Sequence, residues 1–304
     1  MAKERCKKRN ITSWAKYNDD LVKRGTFIWD LSFIGSWDRD LEKMNAGKKG
    51  RPYEYPDTLF VFCCRVRATN GMHLRMLEGM LAVILGAVGH SAPDHSTIEE
   101  RCSSIAWEYP VRAYEEHGNV GVDSTCIPVS NRGEWLGKKY DLRRGFIKIH
   151  MAVDLGTNRI LAHRITDEHT GDTSLMLPLV DDATAAGFTP DKALGDAAYD
   201  AWYNWQGLVN DRKIADTVIN LKSSDVHANG CLYKGQMIKE RDKVGQDQWK
   251  KNHNYGERWK CECTNSDFKG MMGQCLYSRT PEHIENEINC KVQVFNEMKK
   301  WRGQ

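Results

Sequence analysis

The spacing of apolar residues indicates helices in the first third of the chain. Between residues 52 and 106, apolar positions recur at helical intervals and are broken by short turn-forming segments. Such short helices occur both in helix-turn-helix DNA readers and in plain helical bundles, and the pattern does not favour either. The predicted helices run from Pro56-Asp57-Thr58 to about Gly71, from His73 to Leu85, and onward from the capping-box pattern Ser96-Thr97-Ile98-Glu99.

From about Asn119 the pattern alternates instead, which predicts strands. Two of these strands end in an acid, at Asp123 and at Asp196. Because the strands are followed by helices, the fold class is α/β with a mixed-sheet core flanked by helices. Residues 223–254 are polar and have no clear period, which indicates a long loop or a small insertion. The other predicted strands are 145–153, 159–165 and 215–221, and the helices are 171–187, 200–210, 256–272 and 281–302.

Composition describes a soluble globular protein with an uneven charge. The chain has 304 residues, of which 40% are hydrophobic and 28% charged, enough for one large domain or two ordinary ones. Residues 1–51 carry thirteen Lys and Arg against seven Asp and Glu, whereas the net charge of the whole chain is +3. This basic arm indicates a polyanionic partner or, equally, a solubilising and partly disordered tail.

The sequence gives no sign of membrane insertion or export. The longest strongly apolar run, Met80–Gly89, is about half of what a membrane span needs. The first ten residues are charged and have no apolar signal-peptide core behind them, so we expect a cytoplasmic protein.

Ten cysteines are scattered along the chain without paired C-x-x-C motifs, which favours reduced thiols over disulfides or zinc ligands. Cys261 and Cys263 flank Glu262 but point to other sides of its predicted helix, so we interpret them as packing residues. A zinc-dependent binding module remains the weakest alternative.

One spacing near the C-terminus points to chemistry. On an ideal helix of about 100° per residue, Tyr255, Arg258, Glu262 and Lys269 fall within an arc of roughly 60°. This face presents a carboxylate beside a guanidinium, an ammonium and a phenol, groups suited to handling phosphates through a metal. Glu257 and Asp267 are each five positions from Glu262, so they lie roughly 140° away from it.

Asp123 and Asp196 can supply the partners that Glu262 needs. Ligand sites in open α/β sheets cluster at strand ends, and three crowded carboxylates are stable mainly when cations neutralise them. Oxygen-only ligands select Mg²⁺ or Mn²⁺, and two such ions can drive phosphodiester cleavage. The other acids have simpler explanations: Asp154 lies in a predicted turn, and helix starts or polar stretches contain Asp141, Asp172, Asp181 and Asp182.

The Y-(2)-R-(3)-E-(6)-K spacing resembles the YREK signature of DDE transposases from bacterial and archaeal insertion sequences, with all four residues and intervals present. The resemblance covers roughly residues 50–300. Similar surroundings are found in Val122-Asp123-Ser124-Thr125 for the first acid, Lys148-Ile149-His150 with Val153-Asp154 for the next strand, Gly195-Asp196-Ala197-Ala198-Tyr199-Asp200 for the second acid, and Tyr55-Pro56-Asp57 with Ser96-Thr97 for the helical region.

The resemblance implies an RNase H-like core in which Asp123, Asp196 and Glu262 are catalytic and bind the metal. Enzymes of this family cut DNA at the ends of their element with water and then use the freed 3′-hydroxyl to attack target DNA. Arg258 and Lys269 would contact DNA phosphates, and Tyr255 would hydrogen-bond a phosphate or stack on a base. Trp202, Trp205 and Trp249 are further stacking candidates, although core burial is the stronger interpretation for the first two.

One departure from the family concerns an insertion. Some relatives carry a large β-rich insertion between the second Asp and the Glu, whereas only 65 residues separate Asp196 from Glu262 here. Whether cleavage passes through a DNA hairpin therefore stays open.

The sequence thus predicts a transposase with two regions. A basic, helical, helix-turn-helix-like region at 1–115 would bind terminal inverted repeats, and an RNase H-like domain at 116–304, with a small polar insertion around 223–254, would use Mg²⁺ or Mn²⁺ to cut and join double-stranded DNA. A homodimer or higher assembly on DNA, in the cytoplasm of a prokaryote and associated with its nucleoid, is the expected working form. Two alternatives are an RNase H-like nuclease without strand transfer and a catalytically dead DNA-binding protein derived from a transposase.

Overall fold

The computed structural model describes residues 13–107, 115–129, 146–167, 169–222, 230–278 and 280–301. The chain forms two compact units. The first comprises Met1–Ile105 with Val294–Gln304, and the second is Ala106–Gln293. No helix in the described ranges has the length and apolar character needed to cross a membrane.

The first unit is helical, as expected. Its aromatic core includes Phe33 and Phe62, whose ring centroids lie 5.2 Å apart, and near the end of the chain Trp301 packs its ring against Phe27 at 5.6 Å. The helices that precede this end are α1 (Trp14–Ile28), α2 (Ser32–Asn45), α3 (Asp57–Asn70), α4 (Leu74–Gly86) and α5 (His95–Ser104).

Helix ends in this unit follow local chemistry. Helix α3 stops at Gly71, which adopts a left-handed conformation with φ of 61° and donates its N–H to the Arg67 carbonyl at 2.9 Å. The predicted start of α5 is wrong by about two residues. Asp94, rather than Ser96, caps the helix, because its carboxylate accepts the Thr97 N–H at 2.7 Å.

The second unit is built on a mixed five-stranded sheet in the order β3-β2-β1-β4-β5. Strand β2 runs antiparallel to β1 and β3, whereas β4 is parallel to β1 and β5. This topology is the RNase H-like arrangement, which confirms the predicted fold class. The strands are β1 (His117–Pro128), β2 (Phe146–Asp154), β3 (Arg159–Thr166), β4 (Thr189–Gly195) and β5 (Asp216–Ile219).

Helices flank this sheet and share a core with it. The helices are α6 (Met176–Ala185), α7 (Trp202–Gln206), α8 (Leu232–Val244), α9 (Gln246–Asn252), α10 (Trp259–Met272) and α11 (Pro281–Lys299). The core joins Val122 and Val218 from the sheet to Leu179 of α6, Trp205 of α7 and Trp249 of α9. Helix α11 begins in the second unit, and its residues from Val294 onward belong to the first.

Two local results differ from the sequence pattern. Residues 232–252 are helical, so a long loop is the wrong alternative there. The helical period was hidden because α8 buries Lys234 and Arg241 on the same side as Met237 and Ile238. In β2, six consecutive residues from Ile149 to Asp154 are buried, so both faces of the strand are covered there.

Candidate active site

Strand register sets the two Asp residues side by side. Strand β4 ends at Gly195, which lies opposite Val122 of β1, and the next residues along the two parallel strands are Asp196 and Asp123. Strand β1 itself continues to Pro128 alongside β2, so the prediction that Asp123 ends a strand is wrong. The carboxyl end of β4 nevertheless lies beside Asp123, and ligand sites in α/β sheets are commonly found at such strand ends.

Asp196 is fixed by its own turn. It caps a short 3₁₀ helix, Ala197–Tyr199, and its Oδ1 accepts the Ala198 N–H at 2.8 Å. Gly195 before it is closely packed, since a Cβ there would lie 3.1 Å from the Met176 methyl and 3.3 Å from the Tyr199 Cβ. The direction of this carboxylate is therefore determined by backbone geometry.

Helix α10 packs directly on β1 beside Asp123. A Cβ at Gly121 would overlap the Cys261 sulfur and lie 2.9 Å from Leu155 Cδ2, so only glycine permits this approach. Burial raises the pKa of the Cys261 thiol to about 12, and the side chain is fully enclosed, as expected of a packing residue. Glu262 is the next residue on this helix.

Asn265 connects α10 to Asp123. Its side-chain amide donates to Asp123 Oδ2 at 3.0 Å. Asn265 was absent from the sequence prediction, although it lies only about 60° around the helix from Glu262 and could have been found by the same helical arithmetic. The side-chain amide of asparagine does not ionise, so the residue type alone gave no indication of a role in the site.

Arg258 joins two of the three acids. Its guanidinium donates to Glu262 and lies 3.7 Å from Asp123 Oδ2. The side chain of Arg258 is 16% exposed, whereas that of Glu262 is 52% exposed. The cation of the predicted helix face therefore pairs with the predicted carboxylates.

Asp123 lies within the electrostatic influence of the other two carboxylates. Burial is the main cause that raises the pKa of Asp123, and the charges of Asp196 and Glu262 raise it further. Arg258 and the Ser124 backbone N–H act in the opposite direction. An added cation would stabilise the ionised form of Asp123 against this effect of burial.

The donor set suits a hard divalent cation, although the described side chains are not gathered around one. Asp123, Asp196 and Glu262 offer only carboxylate oxygens, the ligands that Mg²⁺ and Mn²⁺ prefer. Among the described residues, no three His, Cys, Asp or Glu side chains are grouped closely enough to hold a metal ion. The chemistry of the donors and the raised pKa of Asp123 are the observations that favour a cation here.

The helix carrying this site is not regular throughout. Tyr255–Arg258 forms a 3₁₀ turn, and the α-helix starts only at Trp259, so the prediction of one α-helical face for all four residues is wrong in its first turn. Residues three apart eclipse in a 3₁₀ turn, which keeps Tyr255 in line with Arg258. Tyr255 is half-buried against the sheet core, and burial raises its pKa to about 12. Lys269 lies in the last turn of α10.

Several other acids have different partners. Glu257 accepts from the Asn119 amide at 2.8 Å, and Asp154 accepts the Gly156 N–H at 2.8 Å within its turn, as predicted from the turn pattern. Asp141 lies outside the described residues. Asp181 pairs with Arg212, and Asp182 pairs with Arg164.

Asp172 forms a cluster that sequence reasoning missed. It lies 2.8 Å from Lys148 Nζ and 3.1 Å from His150 Nδ1. Lys148 and His150 are two apart on β2 and thus share one face of the strand, a signal that was available in the sequence. Burial lowers the pKa of His150, which favours its neutral form.

The burial of two of the three candidate tryptophans differs from the prediction. Trp205 is fully buried, as expected, whereas Trp202 is 43% exposed and packs edge-on against Tyr203. Trp249 is fully buried in the core, so its predicted stacking on bases is wrong.

A family model described as a transposase DDE domain matches residues 118–292 of this chain. The chain belongs to the DDE transposase family. A second model with the same description matches residues 22–132 of this transposase. These matches confirm the predicted family and its transposase function, while the YREK type stays a prediction.

Among solved structures, this transposase is similar to the piggyBac transposase synaptic complex with hairpin DNA. The two chains share 11% sequence identity with a TM-score of 0.41, over 92% of this chain and 74% of that one.

Proposed function

We propose that this transposase binds the terminal inverted repeats of an insertion sequence and catalyses metal-dependent DNA cleavage and strand transfer. The observation that carries the proposal is the register of β1 and β4, which sets Asp196 beside Asp123. Helix α10 adds Glu262 to the same neighbourhood through the Asn265 and Arg258 contacts with Asp123.

Asp123, Asp196 and Glu262 would hold two Mg²⁺ ions, for which Mn²⁺ would substitute. When bound, such ions supply an activated oxygen nucleophile and stabilise the leaving oxygen of a phosphodiester. The partial burial of Asp123 supports this role, because removal of bulk water strengthens electrostatic interactions within a site.

The cations of this region would bind the DNA backbone. The planar fork of Arg258 matches the geometry of a phosphate, which would compete with Asp123 and Glu262 for its N–H groups. Lys269 lies seven residues after Glu262, about 20° from it around the helix, and would act as a point charge. The phenol of Tyr255 would donate a hydrogen bond to a phosphate or stack on a base.

The remaining parts of the proposal concern recognition and assembly. Residues 1–115, with their basic first segment, would bind the DNA ends, and residues 116–304 would carry the chemistry. Both ends of an element must be cut together, so we propose that a homodimer or higher assembly forms on DNA.

The test uses labelled duplexes copied from the DNA that flanks the reading frame, with a supercoiled plasmid as target. The wild-type protein with Mg²⁺ should cut the duplexes and join them to the plasmid. Asp123→Asn, Asp196→Asn and Glu262→Gln should each abolish both steps while still binding the duplexes in EDTA. Near-normal cleavage by one variant would remove that residue from the site.

The same assay separates the alternatives. Cleavage without any joined product would identify a nuclease that does not transpose. Binding of the duplexes without cleavage in Mg²⁺ or Mn²⁺ would identify a DNA-binding protein that has lost its chemistry.

A further inference from the structure

A second carboxylate in the Asp196 segment forms a buried junction. The side chain of Asp200 is fully buried, and its Oδ1 accepts from the Trp205 indole N–H at 2.7 Å. The same Oδ1 lies 3.0 Å from Lys234 Nζ, while Oδ2 accepts the Lys222 backbone N–H at 3.3 Å. One carboxylate therefore connects α7, the chain following β5, and α8.

Lys234 is an unusual partner because only 4% of its side chain is exposed. A buried ion pair adds little net stability compared with an apolar pair of the same volume, because both charges lose their hydration. Loss of either partner alone is costly, since the other charge then stays buried without compensation. The pair thus contributes more to fixing geometry than to the free energy of folding.

A short hydrogen-bonded turn links this junction to Asp196. The Tyr199 N–H donates to the Asp196 carbonyl at 3.2 Å, and the Asp200 N–H donates to the Ala197 carbonyl at 3.3 Å. Asn204 is fully buried and donates its amide to the Tyr199 carbonyl at 2.9 Å. A displacement of Asp200 would therefore move the turn that directs the Asp196 carboxylate.

We infer that the Asp200–Lys234 pair positions Asp196. Helix α8, which carries Lys234, would thus contribute to the geometry of the catalytic site. Lys234 and Asp200 are positioning residues that act on the reaction through Asp196. This inference rests on the proposed function, in which Asp196 binds the metal.

The experiment compares Lys234→Met, Asp200→Asn and the double variant Asp200→Asn/Lys234→Met. Three quantities are measured: unfolding in urea, Mn²⁺ affinity by electron paramagnetic resonance, and the kcat and KM of cleavage of the flanking-DNA duplex. The matched control is Lys291→Met, because Lys291 is also a buried lysine, lies 3.1 Å from Glu287 and donates to the Cys275 carbonyl at 2.8 Å.

Both single variants should lose stability, because each leaves a buried charge without its oppositely charged partner of the ion pair. The double variant should regain most of that stability, yet its Mn²⁺ affinity and kcat should stay roughly 10- to 100-fold low, with KM little changed. Lys291→Met should lose stability but keep the wild-type Mn²⁺ affinity and kcat.

Recovery of Mn²⁺ affinity and kcat together with stability in the double variant would overturn the inference, as would an equal loss of kcat in Lys291→Met. If the double variant does not fold, the folded fraction of Lys234→Met decides, since this change removes the ion pair and leaves the Trp205 and Lys222 donors to Asp200 in place. Wild-type Mn²⁺ affinity in Lys234→Met would then reject the inference. Failure of the proposed function is distinguishable, because the wild-type protein would then not cleave the duplex, or Asp196→Asn would cleave it at the wild-type rate, whatever the Asp200 and Lys234 variants do.

Discussion

The side-chain amide of Asn265 donates to Asp123 Oδ2 across the contact between α10 and β1. A carboxylate held in this way keeps one orientation. Asn265→Ala should therefore lower the kcat of cleavage by roughly 10-fold or more while DNA affinity in EDTA stays constant. Ser266→Ala, the exposed neighbour, is the control and should cleave at the wild-type rate. Equal rates for Asn265→Ala and the wild type would show that this hydrogen bond does not orient the acid.

The pH dependence of stability follows from the environment of Asp123. Burial, with the charges of Asp196 and Glu262, raises its pKa above the ordinary 3.8, so the folded protein binds this proton more tightly than the unfolded chain does. Ionised Asp123 therefore costs stability at neutral pH, and the cost vanishes as the pH falls below the ordinary value.

Asp123→Asn should consequently raise the melting temperature at neutral pH in metal-free buffer, and the gain should shrink below about pH 4. Differential scanning calorimetry across this range measures the effect. A loss of stability at neutral pH would contradict the argument, because it would mean that the pairing with Arg258 outweighs burial.

Gly121 tests the close approach of α10 to β1. Gly121→Ala introduces a Cβ that overlaps the Cys261 sulfur, so we expect a loss of about 1–3 kcal/mol in the free energy of unfolding in urea. The double variant Gly121→Ala/Cys261→Ala should lose less than the sum of the single changes. Gly35→Ala is the control, because Gly35 lies within α2 with no atom near a new Cβ, and alanine there should be neutral or stabilising. If the losses in the free energy of unfolding from the changes at residues 121 and 261 were additive, the two residues would not be in contact.

Divalent cations should stabilise the folded protein if the carboxylates bind them. Mg²⁺ at about 100 times its dissociation constant should add roughly 2.7 kcal/mol to the free energy of unfolding. Glu262→Gln should weaken this gain, whereas Glu257→Gln should not, because Glu257 is hydrogen-bonded to Asn119 instead. If both variants changed the gain in the free energy of unfolding equally, Glu262 would have no specific part in binding the cation.

The sequence predicted the acids more reliably than their surroundings. Apolar runs located β1 and β4, and the register then set Asp123 and Asp196 side by side. The end of β1 was misplaced, because the residues after Asp123 pair with β2 and this long-range pairing leaves no local signal.

The missed residues share a physical cause. Asn265 and Lys234 act through contacts made only in the folded chain, and their types are common on solvated helix faces. Lys234 also made α8 difficult to predict, because a buried cation interrupts the apolar periodicity by which a helix is recognised. Helical spacing could have suggested Asn265, whereas the burial of Lys234 depends on Asp200, which is remote in the sequence.

The path of α11 has a practical consequence for dissecting the protein. The residues from Val294 onward belong to the first unit, where the Trp301 carbonyl accepts from Arg24 at 2.9 Å and its ring packs on Phe27. A fragment truncated near residue 115 would lack these partners and expose an aromatic surface that the full-length chain covers. Weak DNA binding by such a fragment would thus report incomplete folding, so recognition of DNA ends should be measured with catalytically inactive full-length protein.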